Sequence, residues 1–182
     1  MKRRSFLAAL TLLLITVPAI AQGKTKAQQL RDLNRQMWLP FIEGINRDRP
    51  DLYVGVHSSD FRWIAPGNTG RIMDLEEYDQ DSRSVMKRRK EAGEQTRVEF
   101  RFLERNVKGG VAAEKCVVKF VLQRKGKPPE TSYGVAHYFS RNENGVWKMF
   151  LQYGSRDVAT EAMFLQAAPV DDVARFASAQ SQ

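Results

Sequence analysis

Cysteine occurs once in the 182 residues, as Cys116, and histidine twice, as His57 and His137. A single cysteine cannot close an internal disulfide, so the fold must be held by its core. Without an H-x-x-x-H spacing or a second cysteine, these residues imply no metal site. The chain also lacks a G-x-S-x-G elbow, a phosphate loop and a dinucleotide fingerprint, so no cofactor is implied. Long apolar runs are missing too. The longest, Phe6 to Val17, ends at Pro18, short of the about 20 residues that cross a bilayer, which argues against a permanent membrane anchor. No internal repeat, low-complexity linker or second core is visible, so one domain is expected.

The N-terminus has the order of a cleavable export signal: Lys2, Arg3 and Arg4, then the apolar run, then Ala19-Ile20-Ala21 as a small-x-small site. Arg3-Arg4-Ser5-Phe6-Leu7 also resembles the twin-arginine signal, although basic residues precede the run in ordinary export as well. The expected organisation is a signal peptide over 1–21, a domain over 25–177 and a tail over 178–182, with a periplasmic or secreted location. Cleavage would remove three cations and lower the formal net charge from +8 to +5. Most of the remaining Lys and Arg alternate with acids, which is not the clustered basic face of a nucleic-acid module.

Between Ala27 and Asn46, Leu30, Leu33, Met37, Phe41 and Ile45 recur every three or four residues and draw one helical stripe. Pro40 should kink or divide that helix, because it lacks the amide that would bond Gln36. Pro50 suits the first turn of a second short helix. Asp60 to Ala65 reads as a strand stopped by Pro66 to Gly70, and Asp74 as the N-cap of a helix ending at Gly93. Lys87 to Lys90 near that helix's end could form a phosphate patch, but cations there also oppose the helix dipole. The period then switches to two, giving four strands. Cys116, Val118, Phe120 and Leu122 share one face; so do Tyr133, Val135, His137 and Phe139, and then Trp147, Met149, Leu151 and Tyr153. A short helical stretch near Thr160 to Ala167 follows.

Helix, short helix, strand, helix and four antiparallel strands is the element order of the nuclear transport factor 2-like (NTF2-like) superfamily. Trp38-Leu39-Pro40-Phe41-Ile42, Asp51-Leu52-Tyr53 and Ser59-Asp60-Phe61-Arg62-Trp63 resemble the opening of SnoaL-like exported domains, and Asn144-Gly145-Val146-Trp147-Lys148 resembles the superfamily's last hairpin. The resemblance implies an α+β fold, a curled antiparallel sheet wrapped around a long N-terminal helix into a cone, with a pocket at its open end. On that fold Trp38, Phe41, Phe61, Trp63, Tyr78, Tyr133, Trp147 and Tyr153 are the expected lining, suited to a flat or apolar ligand. The same rings would also serve to fill a small barrel core.

Ketosteroid isomerases of the superfamily use a carboxylate base on the first strand, a tyrosine on the first helix and an acid on a later strand. The resemblance places these at Ala65, Phe41 and His137, so two of the three groups are absent. Three readings stay open: a small-molecule-binding domain; a His-dependent isomerase or dehydratase built on His137 and Asp60, with Tyr78 or Tyr153; and an interaction module or homodimer using the charged outer face of Arg97, Glu99, Arg101, Lys115 and Lys119. A lone histidine and an aspartate beside a turn also have structural uses.

Overall fold

The computed structural model describes residues 23–65 and 70–178. The expected signal peptide, the turn at Pro66 to Thr69 and most of the tail lie outside them. Among the described residues no helix is long and apolar enough to cross a membrane.

Thr25 caps α1 (Lys26–Leu33) through a capping box with Gln28. One π-turn over Asn34–Trp38 then leads into α2 (Leu39–Asn46) without a break. Pro40 explains that turn. Its ring would collide with the carbonyl of Gln36 in a regular α-helix, and the wider turn, closed by Leu39 N–H to Asn34 O, takes up the misfit. The turn also points Asn34 inward beside Trp38 and Met37. The stripe Leu30, Leu33, Met37 and Phe41 is buried as its spacing predicts.

Helix α3 (Pro50–Val54) folds back so closely that a Cβ on Gly44 would stand 2.6 Å from the Tyr53 amide nitrogen. Strands β1 (His57–Ala65) and β2 (Arg71–Asp74) form a hairpin, and α4 (Leu75–Glu91) starts from an Asp74 capping box. Then come β3 (Gln95–Lys108), β4 (Val111–Gln123), β5 (Glu130–Glu143) and β6 (Val146–Gly154). Asn144 and Gly145 both adopt positive φ in the β5–β6 turn, as a tight hairpin requires. The chain closes with α5 (Glu161–Gln166), the two-residue β7 (Ala168–Pro169) and α6 (Val173–Ala177).

The seven strands form one curled, unclosed sheet in the order β2-β1-β6-β5-β4-β3-β7. One pairing departs from the antiparallel expectation: β1 lies parallel to β6. Helices α1 and α2 fill the concave side. The convex side is partly covered by α5, whose Phe164 packs on Tyr133, at 5.7 Å between ring centroids, and beneath Arg101 at 4.5 Å. Lys115 pairs with Asp157, so much of the charged outer face holds the chain's own C-terminal segment.

Two bulges break the period of two. In β3 the register slips between Phe102 and Glu104, so Val98, Phe100 and Phe102 point inward before it and Arg105 and Val107 after it. In β6 the slip at Phe150 leaves Met149 inward but sends Leu151 and Tyr153 outward.

The first bulge places a fully buried Arg105 against a fully buried Glu114, Nε to Oε1 2.6 Å. Trp38 Nε1 donates to the other carboxylate oxygen at 2.9 Å, and Arg105 also donates to Asn34 Oδ1 and to the Val170 carbonyl. Burial pushes the Glu114 pKa up, while Arg105 and Trp38 pull against it. Every charged atom thus has a partner, and the partners come from the first helix, β3, β4 and the C-terminal segment.

Glu114→Ala should therefore destabilise the protein by about 3–5 kcal/mol, because it strands a guanidinium out of water. The double variant Arg105→Met/Glu114→Leu, which removes both charges, should recover most of that loss in denaturant melts.

Candidate functional site

Two adjoining cavities, about 350 and 410 Å³, open on the concave side of the sheet and share Trp63, Phe120, Tyr138 and Gln152. The larger exists because the inward positions around it are small: Ala65 on β1, Gly134 and Ala136 on β5, and Gly154 on β6. A Cβ on Gly134 would meet nothing nearer than Phe120 at 3.7 Å, so the space is open and the backbone ordinary. The smaller cavity lies under α4, between Phe41, Tyr53 and Tyr78 on the helical side and Val98 and Phe100 on the sheet.

Its polar groups are few. Tyr78 donates to Gln152 Oε1 at 3.3 Å, and Tyr53 and Ser82 lie 2.5 Å apart, oxygen to oxygen, with Ser82 in turn bonded to the Tyr78 carbonyl. Burial raises the pKa of Tyr53 and pushes those of Tyr78 and Tyr138 well up, so all three remain neutral hydrogen-bond donors. Among the described residues the Tyr138 hydroxyl makes no hydrogen bond, and the buried Thr96 hydroxyl is unpartnered as well.

Of the residues expected to line this space, Phe41, Trp63 and Tyr78 do so. Phe61 is fully buried beneath it, 5.0 Å from Tyr78 between ring centroids. Trp38 and Trp147 are sealed in the core. Tyr133, His137 and Tyr153 are corrected to the convex face. Tyr138 packs inward on Trp38, with centroids 4.9 Å apart, and its neighbour on the strand must then point away. His137 meets Tyr153 there, at 5.9 Å, and Tyr133 meets Phe164. Asp60 is outside too, next to the inward Phe61. It accepts both Arg141 terminal nitrogens at 2.7 and 2.9 Å and the Ser58 hydroxyl at 2.7 Å. Arg141 and then Ser58 hold its pKa down at about 2, so it is a weak base, and it lines neither of the two joined cavities.

The other histidine, His57, lies inside the protein. It is buried in a cage of rings, 4.1 Å from Phe61, 5.2 Å from Tyr78, 5.8 Å from Phe41 and 6.1 Å from Tyr53 between centroids. Nδ1 lies 3.0 Å from the Val54 carbonyl, which can only accept, so Nδ1 carries the hydrogen. Nε2 is left bare and unpartnered among the described residues. Burial, against the help of the Val54 bond, lowers the pKa to about 4.

Tyr138, Gln152, Phe120, Phe100 and Tyr53 complete the site without having been anticipated as lining. Phe120 could be found from its shared face with Cys116 and Val118. Gln152 carried a weaker signal, as a polar residue in an apolar strand. Among the described residues no group of three or more His, Cys, Asp or Glu could hold a metal ion.

No protein-family model matches the sequence, and comparison with curated proteins gives no match. Solved structures do match in shape. An NTF2-like protein of unknown function from Shewanella oneidensis superposes with a TM-score of 0.52 at 18% identity, over 69% of this chain and 98% of that one. A ketosteroid isomerase-like protein from Erwinia carotovora gives 0.55 at 13%, over 70% and 95%. The β subunit of benzoate 1,2-dioxygenase from Burkholderia mallei gives 0.58 at 14%, over 69% and 88%. At these identities the likeness is one of fold, and the fold of this chain is NTF2-like.

The buried imidazole has a consequence for stability. The unfolded chain takes up a proton near pH 6.5 that folded His57 refuses until about pH 4. Stability should fall as pH drops through that window, by about 3 kcal/mol at about 1.4 kcal/mol per pKa unit. Urea melts across the window should show this slope in the native protein and its loss in His57→Phe.

Proposed function

We propose that this NTF2-like domain is exported and binds a small, flat, largely apolar molecule in the trough made by its two joined cavities. The supporting observation is the shared waist, where Trp63, Phe120, Tyr138 and Gln152 border both spaces. Aromatic faces there offer stacking area, and a few neutral donors fix orientation, which is the composition of a small-molecule site. Together the cavities reach the size range of such sites, a few hundred Å³. The export half of the proposal rests on Lys2 to Arg4, the apolar run after them and Ala19-Ile20-Ala21.

Binding is favoured over catalysis by what faces the trough. Among the described residues its lining includes no histidine and one carboxylate, Asp81, which sits 3.6 Å from the Arg71 guanidinium. Proton abstraction needs a base within hydrogen-bond reach of the substrate. Ala65 borders the cavity with a methyl group, and His137 and Asp60 face the opposite side of the sheet.

The neutral dye N-phenyl-1-naphthylamine tests the reading. Its fluorescence should rise on binding to the native protein, and Gly134→Leu, which fills the larger cavity from a regular strand position, should weaken binding by about 10-fold or more, as loss of a filled apolar site does. The variant's melting temperature should stay close to native. Undiminished dye binding in a folded Gly134→Leu protein would refute the trough as the site.

A further inference from the structure

Three groups around the smaller cavity have hydrogens left to donate. Thr96 Oγ1 is buried and unpartnered, the Tyr138 hydroxyl makes no hydrogen bond, and the half-buried Arg89 has no ion-pair partner among the described residues. Arg89 stands in the last turns of α4 and Thr96 at the start of β3, a short connection apart, and both line the cavity. Acids that could neutralise Arg89 are engaged elsewhere. Asp81 is paired with Arg71, Glu94 with Arg124 at 2.9 Å, and Glu91 with Lys87 at 4.0 Å. Neighbouring Arg88 turns instead to the Ser84 hydroxyl and is exposed.

A guanidinium at the edge of an apolar cavity, beside a buried hydroxyl with nothing to bond, matches an anionic oxygen group on an otherwise apolar molecule. We propose that the ligand of the trough is a small organic acid, its ring or chain body lying against Phe41, Phe100 and Tyr138 and its carboxylate held by Arg89 and Thr96. The inference rests on the trough being a binding site and narrows the class of molecule that fills it. Burial of the apolar body supplies affinity, and the Arg89 end supplies direction and the choice of acid over neutral analogue. The macrodipole also favours a cation at this helix end, which accounts for Arg89 being basic but not for its opening onto the cavity.

Calorimetry with two probes of one shape, 2-naphthoate and 2-naphthalenemethanol, separates the claims. The native protein should bind the acid about 10-fold or more tightly than the alcohol, since charge-assisted hydrogen bonds are the stronger kind. Arg89→Met keeps the apolar stem and should erase the preference, whereas Arg88→Met, at a residue that does not line the cavity, should keep it. Added salt should weaken the acid alone. Equal binding of the two probes to the native protein, or an acid preference that survives Arg89→Met, would overturn the carboxylate assignment and leave the trough standing. Binding of neither probe would overturn both.

Discussion

A guanidinium and a carboxylate shut away from water set the terms for how helix, sheet and C-terminal segment meet. Arg105 and Glu114 are tolerable there only because the site supplies a full set of partners: Trp38 for the second carboxylate oxygen, and Asn34 and the Val170 carbonyl for the remaining guanidinium edges. Meeting that demand ties four distant parts of the chain to one another. The π-turn at Asn34–Trp38 presents two of the partners, the β3 bulge presents the arginine, and the strap after β7 presents the carbonyl. Loss of any one would leave a buried charge or dipole unmet, so the network specifies one arrangement of helix, sheet and C-terminus.

Around the two cavities, apolar bulk and its absence shape the space. Phe41, Tyr53, Phe61 and Tyr78 pack around His57 and make a firm floor beneath the smaller cavity, while Gly134, Ala136 and Gly154 withhold side chains from the sheet above the larger one. The trough is thus a place where the core was left unfilled by small residues at inward strand positions, and it is bordered by rings that do not collapse into it. Its chemistry follows from burial. Three phenols are kept neutral and can donate hydrogen bonds, and the histidine beneath the floor is kept neutral as well.

The convex face has an occupant from the same chain. Phe164 of α5 lies under Arg101 and against Tyr133, and Asp157 reaches Lys115. Covering that face makes β5 apolar on both sides, Tyr133, Val135 and Phe139 outward and Ala136 and Tyr138 inward. This is why alternation along β5 could not reveal its inner side. The choice of the odd-numbered residues there sent His137 and Tyr133 to the wrong face, and the Phe150 bulge did the same for Tyr153.

What the sequence determined by itself was local. The stripe from Leu30 to Phe41, the cap at Asp74, the Asn144-Gly145 turn and the period-two runs fix helices, strands and hairpins, because each depends on neighbours within a few residues. Their order was enough to indicate the NTF2-like fold. Only the tertiary structure decided which face of each strand looks inward, since one bulge reverses every side chain beyond it and a covering helix erases the polar side that would mark the exterior. The same limit hid the Arg105 and Glu114 pair, the burial of His57 and the donors around the trough, all of which are relations between residues far apart in the chain.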